Sequence, residues 1–598
     1  MDEPRPFFLD VSKSVLGRAW TDRLDFQTQR IATAIGQRTG LSDILARIVA
    51  SRGVDVDAAE AFLQPTVRAL MPDPSTLADM DKLADRLARA IVDKEPIALF
   101  GDYDVDGACS CALMARYLRH FGLAPQVYIP DRIFEGYGPN TNAIDRLADG
   151  GARLLVTLDC GTTSDGPILH ARERGLDVLV IDHHLSDHEL PQANALVNPN
   201  RPDDISGLGY LCAAGVTFMV LVATNRALRN RGEAGLPDLM RLIDLVALAT
   251  VCDVVPLKGL NRAFVARGLE VARTGSNRGI GALALAARLS GPMNPYHFGY
   301  IIGPRINAGG RIGDAALGMR LLSLDDETEA LAIAAQLNEL NVERQRIEVE
   351  AIAEAVQAAE AEIGGGEGPA VLVLASANWH PGVAGLIAAR LRERFERPVF
   401  AIALGPDGGG TGSGRSMPGV DLGAAVIEAV EQGLVARGGG HAMAAGVTLQ
   451  AGQLGRFRAH VNEALAGSVG AARAKTSLAI DAALTARGAT AEFVHQIERA
   501  GPYGSGNPQP VFAFPAHKAK FAEVVGSGGH VRFTLASDDG ARLKAIAFRA
   551  ATTALGEALL SAGNDTALHL AGTLSLDHYQ GREEVQVRLM DAAPLARL

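Results

Sequence analysis

The sequence has few of the features that mark secreted or membrane-bound proteins. Its five cysteines, an odd number with no Cys-x-x-Cys pair, argue against a disulfide-stabilised secreted framework. The first residues lack the basic and apolar stretches of a signal peptide. The longest apolar runs, such as 242–251, are too short to span a bilayer. We therefore expect a cytoplasmic protein without a membrane attachment.

Lysine and aromatic residues are also scarce. Only 8 of the 57 basic residues are lysine, and the arginines that make up the rest suit bidentate contacts with phosphate, although genomic codon bias gives the same result. The net charge of −11 does not suggest a nucleic-acid binder, but a local basic groove can lie on an acidic protein. Aromatic residues make up 5% of the chain, so few rings are available to stack on bases.

The chain is long enough for three or four domains. Short apolar runs alternate with helical segments from about residue 96, which predicts a mostly parallel sheet with helices on both faces. The predicted strands are 97–100, 126–129, 154–158 and 178–181. Residues 325–362 contain neither glycine nor proline and predict one long helix or two. A second α/β unit follows, and alternating apolar residues in the last 120 positions predict a small β-barrel.

Four clusters of acidic residues or histidine follow apolar runs that we interpret as strands, although residues 236–252, before the last cluster, also fit a buried helix or a helix–strand passage. In the richest cluster, Asp102, Asp104 and Asp106 alternate, and in an extended segment their side chains would point to one side. Three crowded carboxylates repel one another unless a cation neutralises them. The alternative is a helix N-cap, but a cap requires only one aspartate. The other clusters are Asp159, Asp182-His183-His184 and Asp253.

The four clusters together predict a divalent metal site. Parallel strands end at one edge of a sheet, where active sites form. Asp159 or Asp253 alone is equally consistent with a helix cap or a turn. The sequence Asp182-His183-His184 offers one metal ligand, a carboxylate that orients it and a second imidazole. An oxygen-rich set with one imidazole favours Mn²⁺ or Mg²⁺ over structural Zn²⁺. Four cysteines near these aspartates are interpreted as small buried residues and not as ligands: Cys109, Cys111, Cys160 and Cys252.

The second α/β unit contains two glycine-rich segments with polar side chains that suit an anion. Segment 412–416 includes Ser413 and Arg415, and segment 437–442 includes His441. Glycines let backbone N–H groups approach an anion, and these side chains add donors, although a plain glycine-rich turn is the alternative. Three arginines are further candidates for phosphate contacts, although each is also consistent with a surface ion pair: Arg132, Arg305 and Arg311.

The order and spacing of these motifs resemble those of the DHH phosphoesterases. Longer stretches resemble the RecJ-type single-strand exonucleases of bacteria: GDYD at 101–104, GYGPN at 136–140, GPRINA at 303–308, WHPGV at 379–383 and GSGNP at 504–508. The resemblance runs from about residue 45 to the C-terminus. It implies a DHH domain, a DHHA1 domain and an OB fold. The implied activity is 5′→3′ hydrolysis of single-stranded DNA to mononucleotides in DNA repair and recombination.

The resemblance also implies roles for the motif residues. The ligands of two Mn²⁺ or Mg²⁺ ions, which would activate a water and neutralise the scissile phosphate, are expected to be Asp102, Asp104, Asp106, Asp159, His183 and Asp253. Asp159 would bridge the ions, Asp182 would orient the histidines, and His184 would lie beside the scissile phosphate. The terminal phosphate would be held by Ser413, Arg415 and His441, which fixes the cut one nucleotide from the end.

The implied domains are an N-terminal helical extension (1–90), a DHH catalytic domain (91–323), a connector helix (324–365), a DHHA1 domain (366–470) and an OB fold (471–598). The expected partner is single-stranded DNA, together with a single-strand-binding protein and a helicase. We expect a monomer that does not bind membranes.

Three other functions fit parts of the sequence. A phosphodiesterase for short oligonucleotides or cyclic dinucleotides shares the metal motifs, but such proteins lack a C-terminal barrel. A non-catalytic replication-fork scaffold would have lost the aspartates that this chain retains. A pyrophosphatase leaves the last domain without a role.

Overall fold

The structure is a computed structural model that describes residues 7–132, 134–186, 189–474, 477–526, 528–579 and 582–595. The N-terminal region consists of one strand and five helices. They are β1 (Ala19–Asp22), α1 (Phe26–Thr39), α2 (Asp43–Ala50), α3 (Ala59–Leu63), α4 (Val67–Leu70) and α5 (Met80–Val92). Side chains of Asp25 and Ser42 accept backbone hydrogen bonds at the starts of α1 and α2 and so stabilise them.

A five-stranded parallel sheet forms the centre of the next domain, which confirms the predicted fold class. Its elements are β2 (Ile97–Gly101), α6 (Val105–His120), β3 (Gln126–Tyr128), α7 (Thr141–Asp149), β4 (Leu154–Leu158), α8 (Asp165–Glu173), β5 (Asp177–Ile181) and β6 (Ala195–Val197). Four of these strands coincide with the predicted ones, and β6 was missed because three apolar residues make too short a run. The strand order β3-β2-β4-β5-β6 places the topological switch point between β2 and β4.

A helical layer completes this domain. It comprises α9 (Ala213–Asn230), α10 (Ile243–Cys252), α11 (Gly259–Arg273), α12 (Arg278–Ala286), α13 (Pro295–His297), a π-helical turn (Phe298–Ile302), α14 (Gly303–Ile312) and α15 (Ala316–Ser323). The run before Asp253 is the helix α10, so the interpretation as a buried helix is confirmed and the placement of Asp253 at a strand end was wrong. A buried helix carries apolar residues on every face, and its periodicity does not distinguish it from a buried strand.

One long helix, α16 (Glu327–Ile363), leads to the second α/β unit. It begins where the Asp326 side chain accepts the Glu329 N–H and ends at Gly364, in agreement with the predicted helix. The unit itself consists of β7 (Leu372–Ser376), α17 (Ala384–Phe395), β8 (Val399–Leu404), β9 (Gly410–Arg415), α18 (Leu422–Glu431), β10 (Arg437–His441), β11 (Ala444–Leu449) and α19 (Leu454–Ala474). Its strand order is β10-β11-β9-β8-β7, with only β7 and β8 parallel.

The C-terminal region is the predicted barrel. It comprises β12 (Ser477–Ile480), β13 (Ala482–Ala483), α20 (Ala491–Glu498), β14 (Phe512–Val525), β15 (His530–Ala536), β16 (Arg542–Ala547), α21 (Ala554–Ser561), β17 (Ala567–Tyr579) and β18 (Arg582–Pro594). Pairing of β14 with both β15 and β17 closes it into five strands.

The N-terminal region is divided between two neighbours. Strand β1 pairs in parallel with β12, and Ile35 and Ile48 share one apolar core with Phe512 of the barrel. Helix α5 belongs to the core of the parallel-sheet domain. Burial of these side chains joins the first helices to the last domain, so β1, α1 and α2 belong to one folded unit with the barrel. Within the described residues, we find no helix with the length and hydropathy needed to cross a bilayer.

Candidate active site

Three aspartates lie side by side where three parallel strands end. The Asp102 N–H donates to the Leu158 carbonyl at 3.3 Å, and the Asp159 N–H donates to the Ile181 carbonyl at 2.9 Å. The Asp182 N–H similarly reaches Val197 at 3.1 Å. The sheet pairing therefore continues one residue beyond β2, β4 and β5 and aligns the three residues at the carboxyl edge of the sheet, across the switch point.

The segment after β2 is not extended, contrary to prediction. Asp104 is the N-cap of α6, and its Oδ1 accepts the N–H groups of Asp106 at 2.8 Å and Gly107 at 3.0 Å. These bonds turn the chain into a helix at residue 105, so Asp106 lies in the first helical turn. The cap explanation is thus correct for Asp104, while its second oxygen makes no hydrogen bond that would exclude it from a metal site.

Asp106 faces the start of another helix. Its two carboxylate oxygens accept the N–H groups of Ala213 at 2.6 Å and Ala214 at 2.8 Å, at the beginning of α9. A helix N-terminus stabilises a negative charge. Burial, and after it the charge of the neighbouring Asp104, nevertheless raise the pKa of Asp106 to about 7.

His183 lies at the centre of the carboxylates. Its Nε2 is 3.3 Å from Asp159 Oδ1, 3.7 Å from Asp253 Oδ2 and 3.8 Å from Asp106 Oδ2. Burial and the charge of His184 lower the pKa of His183 to about 4. The imidazole is therefore neutral at physiological pH, the form in which histidine binds metal ions.

His184 has the opposite electrostatic character. Its Nδ1 lies 2.8 Å from Asp182 Oδ1, and the other oxygen of Asp182 accepts the Thr162 N–H at 3.0 Å. Burial alone would lower the pKa of His184, but the hydrogen bond and charge of Asp182 raise it to about 9. Burial likewise opposes ionisation of Asp182, but hydrogen bonds hold its pKa below the usual range. Asp182 therefore orients a protonated His184, which is suited to contact an anion and not a metal.

The chemistry of the cluster fits divalent cations. Burial first, and then the neighbouring carboxylates, raise the pKa values of Asp102, Asp159 and Asp253 well above normal. One buried oxygen of Asp102 and one of Asp159 have no hydrogen-bond partner. Three sets of ligand atoms each lie within 4.8 Å: Asp159-His183-His184, Asp106-His183-Asp253 and Asp102-Asp104-Asp159. A cation would relieve both the repulsion and the unpaired oxygens.

Three arginines converge opposite the carboxylates. The Arg132 guanidinium lies 5.0 Å from the centroid of the Tyr103 ring. Arg311 Nη1 donates to the Gly382 carbonyl at 2.9 Å. Arg415 Nη1 donates to Ser413 Oγ at 2.8 Å. Burial, followed by repulsion from Arg132 and other arginines, lowers the pKa of Arg311 to about 9. Such a cluster, at the junction of the two α/β units, has the charge and the donors that suit an anion.

The side chain of Arg415 packs closely against Gly385. A Cβ atom on Gly385 would lie 2.8 Å from Arg415 Nη2 and 3.1 Å from Ser413 Oγ. Both side chains therefore pack directly on the first turn of α17, where any larger residue would displace them.

Arg305 and His441, the other two residues predicted to contact phosphate, lie outside this arginine cluster. Arg305 donates to Asn338 Oδ1 at 3.0 Å and to the Ile301 carbonyl at 2.7 Å, which ties α14 to α16. His441 is exposed on β10, and the strand register places it in one row with Ala444 and Arg415. Directly opposed residues face the same side of a sheet, so His441 lies two strand spacings from Arg415. Their contacts with substrate stay predictions.

Sequence reasoning missed residues that hold the histidines. The Tyr137 hydroxyl donates to the Asp159 carbonyl at 3.1 Å, and Asn200 Nδ2 donates to the His183 carbonyl at 2.6 Å. Asn198 Nδ2 likewise reaches the His184 carbonyl at 2.8 Å. The tyrosine lies in the GYGPN stretch that carries the family resemblance, which was the available signal.

The cysteines do not join the candidate ligand groups among the described residues. Cys109, Cys111 and Cys160 are buried, and burial raises the pKa of each thiol. Cys252 Sγ donates to the Phe298 carbonyl at 3.4 Å. These contacts agree with the expectation of small packing residues.

Comparisons with known proteins agree with this architecture. Residues 96–250 match the DHH family, N-terminal domain, residues 368–467 match the DHHA1 domain, and residues 480–591 match the RecJ OB domain. The single-stranded-DNA-specific exonuclease RecJ of Escherichia coli (strain K12) is 33% identical over 567 residues, covering 93% of this chain and 96% of that protein.

Two crystal structures of RecJ from Thermus thermophilus are also similar to this chain. The complex with Mn²⁺ has a TM-score of 0.76 at 28% identity, covering 97% of this chain and 80% of that one. The complex with Mg²⁺ has a TM-score of 0.70 at 27% identity, covering 96% of this chain and 78% of that one. The predicted resemblance is confirmed, and the chain belongs to the RecJ family of DHH–DHHA1 proteins.

Proposed function

We propose that this chain is a metal-dependent exonuclease that degrades single-stranded DNA from the 5′ end to mononucleotides. The observation that carries the proposal is the position of the carboxylate–His183 cluster opposite Arg132, Arg311 and Arg415. One group suits divalent cations and the other suits phosphate. Phosphodiester hydrolysis requires both within one cleft, and the names of the relatives supply the single-stranded DNA substrate.

The metal-binding residues are proposed to be Asp102, Asp104, Asp106, Asp159, His183 and Asp253. Bound Mn²⁺ or Mg²⁺ would supply Lewis acidity toward water and the scissile phosphate. Asp159 belongs to one ligand set with Asp102 and Asp104, and its Oδ1 also lies 3.3 Å from His183 Nε2, which supports a bridging role. Neutral His183 offers Nε2 as a ligand, while protonated His184 donates from its ring to a non-bridging phosphate oxygen.

The arginine cluster is proposed to set the position of the cut. Arg415, supported by Ser413 and Gly385, would bind the terminal 5′-phosphate. Arg132 lies close enough to both Arg415 and Asp102 for its charge to act on the two groups. It would therefore contact the phosphate chain between the end-binding site and the metals. A fixed distance between these two sites makes the product a mononucleotide.

The cellular setting follows from the family. We propose a cytoplasmic monomer that acts in DNA repair and recombination, together with a single-strand-binding protein and a helicase. The domain limits given above are proposed on the same basis.

Digestion of one single strand labelled at either end tests the function. With Mn²⁺ or Mg²⁺, a 5′-labelled strand should release labelled mononucleotide from the outset, while a 3′-labelled strand should shorten progressively. Early release of mononucleotide from the 3′ label would refute the polarity. Cleavage confined to dinucleotides or cyclic dinucleotides would favour the small-nucleotide phosphodiesterase.

A further inference from the structure

Two exposed tyrosines lie at a turn that packs on the end of the helix leading to Asp253. The rings of Tyr296 and Tyr300 stack with centroids 5.0 Å apart and planes within 23°, and the residues are 49% and 72% exposed. The π-helical turn between Phe298 and Ile302 packs on the end of α10, where Cys252 Sγ donates to the Phe298 carbonyl. Since Asp253 is the next residue after α10, the tyrosine pair starts close to a proposed metal ligand.

An arginine of the barrel connects this pair to a third exposed ring. The Arg588 guanidinium lies 5.6 Å from the centroid of Tyr296 and 5.9 Å from that of Phe548. Phe548 is 53% exposed and packs edge-on against His530, with centroids 5.2 Å apart. Tyr300, Tyr296, Arg588 and Phe548 thus form one continuous surface, which we call the aromatic platform.

Arg588 has no anionic partner on this platform. Among the residues with described side chains it forms no ion pair, and its Nε is buried without a hydrogen-bond partner. The nearby Arg532 differs, because its guanidinium binds the carboxylate of Glu523. A guanidinium between ring faces gains cation–π stabilisation, but its charge stays available to an anion. The platform therefore offers ring faces and an available cation.

We propose that the aromatic platform binds single-stranded DNA on its way from the barrel to the metal cluster. Bases would stack on Tyr300, Tyr296 and Phe548, and a backbone phosphate would bind Arg588. Every base has a π face, so this binding would tolerate any sequence. Bases in a duplex stack on one another and present no free face along its length, so the platform would favour single strands. The inference rests on the proposed function and adds a binding site to it.

The platform alternates aromatic rings with a cation, and this arrangement favours a nucleic acid over a protein as its occupant. An apolar protein surface placed here would bury the Arg588 charge without a partner, at a cost in free energy. A single strand presents bases and phosphates in alternation, as the platform presents rings and a cation. The platform also bridges the barrel and the catalytic domain, the path that a strand bound by both must follow.

Affinity for two strands of equal length tests the proposal: an oligothymidylate and a wholly abasic strand, both in EDTA so that neither is cut. The variants Tyr296→Leu/Tyr300→Leu and Phe548→Leu keep apolar bulk but remove ring faces. We expect affinity for oligothymidylate to fall about tenfold per ring, with affinity for the abasic strand unchanged. Phe26→Leu is the matched control, because Phe26 is 78% exposed on α1, away from the platform.

Arg588 is tested separately. Arg588→Gln should weaken binding of both strands. The slope of log affinity against log salt concentration should become shallower by about 0.7, as expected for one lost single-strand phosphate contact. Arg588→Lys should keep the salt dependence, because it keeps the charge. An unchanged salt dependence in Arg588→Gln would overturn the phosphate contact.

Three outcomes would overturn the stacking proposal: equal losses on both strands, no loss on either, or an equal effect of Phe26→Leu. If a variant fails to fold, photo-crosslinking of wild-type protein to a strand containing 5-iododeoxyuridine decides the question. Crosslinks at Tyr296, Tyr300 or Phe548 support the platform, and crosslinks only elsewhere refute it. If wild-type protein binds no single strand at all, the proposed function itself fails, which is a distinguishable result.

Discussion

The phenolic oxygen of Tyr137 lies 3.0 Å from Nδ1 of His184. The same hydroxyl donates to the backbone carbonyl of Asp159 at 3.1 Å. It therefore connects the loop that carries the proposed bridging aspartate to the imidazole whose Nδ1 also contacts Asp182. We infer that Tyr137 is a positioning residue, since it acts on groups that are proposed to contact substrate or metal.

Tyr137→Phe should lower kcat about tenfold and leave KM nearly unchanged. The variant removes the hydroxyl's bond to the Asp159 carbonyl and its contact with the charged His184, and a loss of roughly 1.4 kcal/mol corresponds to tenfold in rate, while the ring keeps its packing. Steady-state kinetics on a single strand measures both constants. Tyr128→Phe is the control, because that hydroxyl binds Glu135 outside the metal cluster. Equal effects of the two substitutions would contradict the positioning role.

Asp159→Asn should abolish hydrolysis and leave the fold intact. Asp159 has a φ of +64°, a conformation that asparagine adopts more readily than most residues. The change removes a charged ligand without adding bulk, so circular dichroism should match that of the wild type. Turnover above about a tenth of wild type, with either Mn²⁺ or Mg²⁺, would contradict the bridging assignment.

Removal of metal should silence the enzyme reversibly. EDTA should abolish hydrolysis, Mn²⁺ or Mg²⁺ should restore it, and Zn²⁺ should restore it poorly because the site is rich in oxygen ligands. Mn²⁺ should also raise Tm, since a ligand that binds only the folded state stabilises it. The increase in Tm caused by Mn²⁺ should be smaller in Asp159→Asn. Full activity in EDTA would exclude the mechanism.

Arg415→Ala should weaken capture of the strand end more than metal binding. KM should rise more for a 5′-phosphorylated strand than for a 5′-hydroxyl strand, because the lost contact is to that phosphate. Arg456→Ala is the control, since Arg456 is exposed on α19 of the same unit, outside both glycine-rich segments. Equal rises on the two strands would show that Arg415 has a structural role or contacts an internal phosphate.

Asp244→Asn should stabilise the protein above pH 6 but not at pH 4. Asp244 is buried on α10, and burial raises its pKa to about 6. A raised carboxyl pKa favours folding below the unfolded pKa near 4, and this contribution is lost as pH rises through 6. Asparagine does not titrate, so the gain should approach roughly 3 kcal/mol at pH 7. Thermal unfolding across this range measures it, and a gain independent of pH would contradict the explanation.

The amino-acid sequence by itself determined the parts of this protein that depend on local patterns. The strands leading to Asp102, Asp159 and Asp182 could be predicted, because each is a short apolar run followed at once by its aspartate. The long helix α16 could also be predicted, because nothing interrupts its helix-forming residues. These features depend only on residues that are close together in the sequence.

Only the tertiary structure decided which distant segments meet. Asp253 reaches His183 from the end of a buried helix, and Arg311 and Arg415 converge from different domains. The first helices share a core with the barrel, although some 450 residues separate Ile48 from Phe512. Such contacts depend on how whole surfaces pack. The hydrophobic effect is not directional, so an apolar face does not indicate in the sequence which other segment will cover it.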